Sequence, residues 1–367
     1  MRKCVVVFTV MSSIVVMGQS KEDSISTFNI FLDPDECVIK LEHKHTFSQD
    51  LDTDKGLRII STNNIPDHLT GEFPNSGNPN KIQPIESTYK IPLNPDPAKE
   101  IISGAGYSTG ILFSGVELDP YTNEFFIGEN GPNRDWNITA LTSSVNLGLD
   151  CNNAHVQPNG KYHYHGTPSA YIDDMSTGEP EIMLLGYAAD GFPIYYKYGY
   201  NDKGEIVAFE SGYTLKEGKR PGDGINAPDG VYDGTYFQDY EYREGGSELD
   251  ACNGRFGRTP ENENEYYYVI TDNFPSVPIY FKGQPSEDFK IGPPENQMSN
   301  HDRRDQHGMG GPPLAEEIMK MMDSNHDNKI SESEVRGPLQ EHFSHIDKNN
   351  DGFLTLEELN NHRPGRP

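Results

Sequence analysis

Residues 151–165 of this 367-residue chain read Cys-Asn-Asn-Ala-His155-Val-Gln-Pro-Asn-Gly160-Lys-Tyr162-His163-Tyr164-His165. Successive side chains of a strand point to opposite faces. The Tyr-His-Tyr-His alternation therefore predicts a strand with His163 and His165 on one face and Tyr162 and Tyr164 on the other. Asn159-Gly160 is a turn dipeptide, so His155 lies on the segment entering a hairpin and comes beside the other two. Three convergent imidazoles suit Zn²⁺ or copper and leave a coordination position for water or substrate. The bland alternative is a strand that carries two half-buried histidines; two in phase and a third across a turn favour a metal.

Other groups are weighed against that cluster. Asp190, between a predicted strand and Gly191, is a candidate general base or an orienting partner for a ligand, against a turn-forming Asp-Gly. His68 is a candidate fourth ligand, against a loop residue. His43 and His45 form a second His-x-His pair, read as a solvated strand end, and His301 and His307 are read as solvated.

The tail carries a different chemistry. Residues 323–334 and 347–358 are two twelve-residue loops with oxygen-bearing side chains at positions 1, 3, 5 and 9 and a glutamate at position 12. That is the EF-hand pattern of hard oxygen ligands around Ca²⁺. The ligands are Asp323, Asn325, Asp327, Ser331 and Glu334, then Asp347, Asn349, Asp351, Thr355 and Glu358. Lys329 and Phe353 contribute position-7 carbonyls. Position 6 needs a left-handed turn, provided by Gly352 in the second loop. Asn328 replaces it in the first, which is expected to bind more weakly. Helical runs over 314–322 and 339–346 flank the loops, and Ile330 is expected to pair with Leu354.

The elements that position the histidines are read from composition and pattern. Hydrophobic residues make up only 34%, while Gly (36), Pro (27) and Tyr (20) are abundant, which predicts a turn-rich protein of short strands. Strands are expected at Ile111–Leu118, 182–188 and after Asp190-Gly191, with Trp136 as a core anchor. Leu149-Asp-Cys-Asn152 with Tyr162–His165 is echoed by Leu249-Asp-Ala-Cys-Asn253 with Tyr266-Tyr-Tyr-Val269. The echo implies two related β units packed face to face, only one bearing histidines. Once Cys4 is removed with a leader, Cys37, Cys151 and Cys252 allow three disulfide pairings. The echo favours Cys151–Cys252, as equivalent cysteines meeting near a pseudo-twofold axis.

Asp and Glu outnumber Lys and Arg by 57 to 30, a net charge of −27. Such a surface repels nucleic acid and anionic membrane and attracts cations. Residues 1–20 read as a signal peptide, with Arg2-Lys3 before an apolar run too short to span a bilayer. The expected organisation is a leader (1–20), a mainly β domain (21–283), a flexible linker (284–312) and an all-α EF-hand pair (313–367). No serine-elbow, Walker or dinucleotide fingerprint occurs. Three functions remain: an exported calcium- and transition-metal-binding protein, a secreted metalloenzyme using the three histidines, or a carbohydrate- or partner-binding β module.

Asn152-Asn-Ala-His-Val-Gln-Pro-Asn-Gly-Lys-Tyr-His-Tyr-His-Gly166 strongly resembles the signature of the YHYH-domain proteins, an exported and mainly bacterial family. The resemblance extends over roughly 57–283 through Ile65-Pro-Asp-His68, Gly71-x-Phe-Pro-Asn75, Ala189–Tyr195, Asp239-Tyr-Glu-Tyr242 and Leu249–Arg255. The family is defined by sequence, so the resemblance implies no activity. Cys151 departs from the usual pattern, which argues against a ligand role for it across the family.

Overall fold

The alternation and turn signals above mature into many short strands. The computed structural model describes residues 36–142, 144–291, 315–323, 327–335, 340, 343–344 and 346–361. The leader, most of the linker, His301, His307, Asn325 and the chain end lie outside them. In chain order the strands of the body are β1 (Phe47–Asp52), β2 (Leu57–Thr62), β3 (Ser87–Pro92), β4 (Pro97–Ser103), β5 (Gly110–Leu112), β6 (Glu117–Leu118), β7 (Phe125–Gly128), β8 (Gly131–Asn137), β9 (Ala154–Val156) and β10 (Tyr162–Tyr164). The short helix α1 (Ser169–Met175) precedes β11 (Met183–Ala188), β12 (Pro193–Tyr196), β13 (Tyr198–Tyr200), β14 (Ile206–Ala208), β15 (Tyr213–Leu215), β16 (Tyr240–Tyr242), β17 (Gly254–Gly257), β18 (Glu265–Ile270) and β19 (Tyr280–Gly283). No helix among the described residues is long and apolar enough to cross a membrane.

Eight strands form one sheet in the order β17-β18-β12-β11-β5-β6-β10-β9. Two copies of one pattern lie in it side by side. In the first, hairpin β5–β6 is followed by hairpin β9–β10, with β10 parallel to β6. In the second, hairpin β11–β12 is followed by hairpin β17–β18, with β18 parallel to β12. The antiparallel pair β5–β11 joins them at the centre.

The turns repeat as well. Leu112 N–H donates to Val116 O and Gly115 N–H to Leu112 O, while Ala188 N–H donates to Phe192 O and Gly191 N–H to Ala188 O. Asn153 N–H donates to Asp150 O and Asn253 N–H to Asp250 O, with both asparagines left-handed (φ 51° and 59°). Asparagine tolerates that conformation by bonding locally. Tyr162 Oη donates to Asp150 Oδ2 (2.6 Å) and Tyr266 Oη to Asp250 Oδ1 (2.9 Å). The echo is therefore a structural repeat, but within a single sheet and not face to face as expected, because the β5–β11 ladder continues the sheet from one copy to the other. Similarly, Ile111–Leu118 is not one strand. Gly115 (φ 79°) turns it into the β5–β6 hairpin.

This correspondence aligns the copies without a gap between 150 and 250, which places Cys151 opposite Ala251 and Cys252 opposite Asn152. The cysteines are thus not equivalent, and they sit in loops serving opposite edges of the sheet. Cys37 and Cys151 form the disulfide and Cys252 is a buried free thiol, so the expected Cys151–Cys252 pairing is wrong.

One face of the sheet packs the main core, which includes Leu112, Leu118, Tyr162, Tyr164, Leu185, Ile194, Tyr266 and Tyr268. On the opposite face Ile111, Tyr89 and Phe281 cover the centre, and Tyr195, Phe209, Tyr267 and Val269 cover the second copy. Trp136 is only half-buried on β8, edge-on to Tyr236 at 5.5 Å, and does not anchor a core. Residues 284–291, assigned above to the linker, pack on the body: Phe289 is buried against Tyr89, and Ile291 N–H donates to Gly106 O.

Candidate metal centre

Hairpin β9–β10 delivers the histidines. Its loop closes through Gln157 N–H to Lys161 O and Gly160 N–H to Gln157 O. Gly160 adopts φ 94°, and an added Cβ would lie 2.6 Å from Gln83 Cβ, so this turn requires glycine. The register pairs His163 directly with His155, and paired residues project to the same face. His165 follows two residues on. The ring centroids form a triangle with 4.7 Å sides. His165 Nε2 stands 3.0 Å from His163 Nε2 and 3.1 Å from His155 Nε2. Among the described residues these three form the one group of His, Cys, Asp and Glu side chains close enough to hold an ion.

The electrostatics suit a cation. His163 and His165 are buried and His155 is half-buried. Burial, then the neighbouring imidazoles, holds His163 and His165 well below the usual histidine range, and burial lowers His155. All three are neutral near pH 7, the form in which imidazole is a ligand. His155 Nδ1 donates to Leu147 O at 2.9 Å, and His163 Nδ1 faces Lys161 O at a longer 3.4 Å. The Leu147 carbonyl fixes the proton of His155 on Nδ1, so its Nε2 presents a lone pair toward His165, the orientation a metal-ligating imidazole has when its other nitrogen is hydrogen-bonded. Zn–N bonds of about 2.0–2.1 Å at near-tetrahedral angles put ligand nitrogens roughly 3.3 Å apart. The observed separations approach that value.

Two residues missed in the sequence share this face. Glu117 pairs in parallel register with His163, and Asp119 continues the ladder through its N–H to Tyr164 O (2.8 Å), which brings it alongside His165. Glu117 is buried and accepts from Tyr89 Oη, Ser108 Oγ and Lys161 Nζ. Asp119 is 5% exposed, and its Oδ1 has no hydrogen-bond partner. Burial, with Glu117 nearby, pushes its carboxyl up to about 8. The available signal was Glu117-Leu-Asp119, an acid–apolar–acid alternation ending an apolar run, in the phase of His163-Tyr-His165.

Other candidates stand elsewhere. His68 lies on the tyrosine face: its Nε2 meets Tyr164 Oη at 2.6 Å and its Nδ1 meets Leu69 O at 2.8 Å, so both ring nitrogens are engaged. Asp190 occupies in hairpin β11–β12 the place Ser114 holds in β5–β6. Asp190 Oδ2 accepts from Tyr268 Oη (2.6 Å) and Gly283 N–H (2.8 Å), whereas Ser114 Oγ meets Tyr164 Oη at 2.8 Å. It is thus engaged in the second copy, away from the histidine hairpin. His43 is exposed, and His45 Nδ1 meets Ile65 O at 2.6 Å in a loop before β1, not on a strand. Tyr162, Tyr164, Tyr195 and Tyr266–Tyr268 are fully buried, so they offer no aromatic platform to a glycan.

In the tail, helix Ala315–Met322 and helix Leu356–Asn361 flank a two-residue ladder pairing Ile330 with Leu354 and Ser331 with Phe353. The two loops repeat each other. Asp323 Oδ2 accepts from Asn328 N–H (2.8 Å) and Asp347 Oδ2 from Gly352 N–H (2.9 Å). Glu334 Oε2 accepts from Ser331 Oγ and Glu358 Oε2 from Thr355 Oγ1, both at 2.7 Å. Asn328 (φ 64°) and Gly352 (φ 81°) both turn left-handed at position 6.

A mainly β protein with a buried tri-histidine hairpin and a calcium-loop tail is the class this defines. The model of the YHYH protein family matches residues 88–283, and that of the EF hand matches 314–337 and 339–361. The chain belongs to the YHYH protein family and ends in a pair of EF hands, the calcium-binding module. Neither the curated proteins nor the solved structures contain a match to it.

Proposed function

We propose that this is an exported protein that binds two kinds of metal: Ca²⁺ in the EF-hand loops and one Zn²⁺ or copper ion on His155, His163 and His165. The observation that carries the second site is the convergence of three Nε2 atoms with 3.0 and 3.1 Å separations. Imidazole nitrogen suits either ion. Export rests on the signal-peptide pattern of residues 1–20 and agrees with a disulfide between Cys37 and Cys151. In the tail the calcium ligands are Asp323, Asn325, Asp327, the Lys329 carbonyl, Ser331 and Glu334, then Asp347, Asn349, Asp351, the Phe353 carbonyl, Thr355 and Glu358.

Elemental analysis of the tagless full chain, purified without chelator, tests the histidine site. About one equivalent of zinc or copper is expected in the natural protein and none in His163→Ala/His165→Ala. Equal content in the two proteins would refute the assignment. For the tail, Glu334→Gln with Glu358→Gln removes both bidentate ligands, and calcorimetric calcium uptake should vanish; unchanged uptake would remove those loops from the proposal.

A further inference from the structure

We infer that Asp119 is the non-histidine polar group of the tri-histidine site, a positioning residue that faces the coordination position the imidazoles leave open and holds a water there. The inference rests on the metal reading of the preceding subsection and adds a residue and a ligand class to it.

Three observations support it. The first is placement. Leu118 pairs with Tyr164 in parallel register, and Asp119 N–H donates to Tyr164 O at 2.8 Å. Side chains alternate along a strand, and Leu118 and Tyr164 belong to the main core, so Asp119 projects to the other face with Glu117, His163 and His165. The second is an unmet bond. Asp119 is 5% exposed and Oδ1 has no partner. A buried carboxyl oxygen left so is costly unless a water or ligand fills the gap. Glu117 on the same face differs, since its oxygens are taken by Tyr89, Ser108 and Lys161.

The third is the second copy, in which the same backbone lacks the whole set. Counting from the equivalent hairpins, Glu117, Asp119, His155, His163 and His165 are replaced by Pro193, Tyr195, Arg255, Tyr267 and Val269. Tyr195, Tyr267 and Val269 pack there in an apolar cluster. The fold thus does not need an acid at the position of Asp119. It is present in the copy that has the histidines and absent from the copy that lacks them.

The carboxyl lies outside the group of atoms close enough to share an ion, so it acts through an intervening water and not as a fourth protein ligand. Three protein nitrogens with an exogenous oxygen ligand is the arrangement of an open zinc site, in contrast to a closed structural one.

The test loads the full-length protein with Co²⁺, a spectroscopic substitute for Zn²⁺, and compares it with Asp119→Asn. Affinity for Co²⁺ is expected to fall by about 10- to 100-fold, the usual loss for an orienting partner, and the visible absorption bands are expected to shift. Affinity within twofold of the natural protein, with unchanged bands, overturns the inference while leaving the histidine site standing. Failure of the natural protein itself to bind Co²⁺ overturns both readings. If Asp119→Asn does not fold, Asp119→Glu, which keeps the carboxyl but displaces it by one methylene, is read by the same two criteria. A merely structural Asp119 would lower thermal stability without moving the bands.

Discussion

The two halves of the eight-stranded sheet share a backbone and part company on one face. Both use an aspartate at the start of the hairpin loop to receive a tyrosine hydroxyl, Asp150 for Tyr162 and Asp250 for Tyr266. In each, a left-handed asparagine turns the loop and a second tyrosine is capped from the preceding hairpin, by Ser114 or by Asp190. The tyrosine face is thus the structural constant, because it packs the core common to both. The other face is free to vary: apolar and aromatic with Arg255 in the second half, imidazole and carboxyl in the first.

The most forceful way to break this contrast is to strip each half of its variable face. His163→Ala/His165→Ala should lose all of its zinc or copper, whereas Arg255→Ala/Tyr267→Phe should keep about one equivalent, both read by elemental analysis. Metal loss from the second variant would show that the halves are not independent.

The disulfide fastens only the first half. Cys37→Ser/Cys151→Ser opens a bridge across 114 residues. It should lower unfolding free energy by about 4–5 kcal/mol on the chain-entropy account, measured by urea titration. Cys252→Ser, a small change in the second half, should cost about 1–2 kcal/mol for burying a hydroxyl.

Asp190 and Ser114 hold equivalent places, but only the first titrates. Burial pushes the Asp190 carboxyl up to about 6, despite its bonds from Tyr268 and Gly283, against an unfolded value near 3.9. The folded state therefore holds this proton more tightly than the unfolded state. Its contribution is fully present below about pH 4 and is lost as pH rises through about 6, by roughly 2–3 kcal/mol. Asp190→Asn should flatten the pH dependence of stability across that window and Ser114→Ala should leave it unchanged, as followed by melting curves from pH 4 to 7.

The smallest effect separates the two loop aspartates. Asp150 is buried and accepts from Tyr162 Oη, Gly71 N–H and Asn152 N–H, while Asp250 keeps 35% of its side chain exposed. Asp150→Asn should cost about 2 kcal/mol and Asp250→Asn about 1. Equal costs in denaturant titrations would mean that solvent does not compensate the second loop.

Much of the site was legible along the chain because it is local. The alternation of His163 and His165 with Tyr162 and Tyr164 sets the two faces of one strand, and Asn159-Gly160 sets the turn that returns His155 to them. The EF-hand loops are equally local: twelve residues hold every donor type, and Asn328 and Gly352 take the left-handed turn that their side chains permit. The repeat was visible too, since equivalent loops need the same aspartate, asparagine and tyrosines.

What the amino-acid order determined by itself, then, is the hairpin with its three imidazoles, the recurrence of that hairpin without them, and the two calcium loops. Each depends on periodicity and turn chemistry within about fifteen residues. Tertiary structure alone decided that the copies lie side by side, that Cys151 reaches Cys37, that Asp190 serves Tyr268, and that Glu117 and Asp119 stand beside His163 and His165. These are pairings between segments tens of residues or more apart. They are selected by which strand edges meet and which side chains must be buried together, and no spacing along the chain encodes that choice.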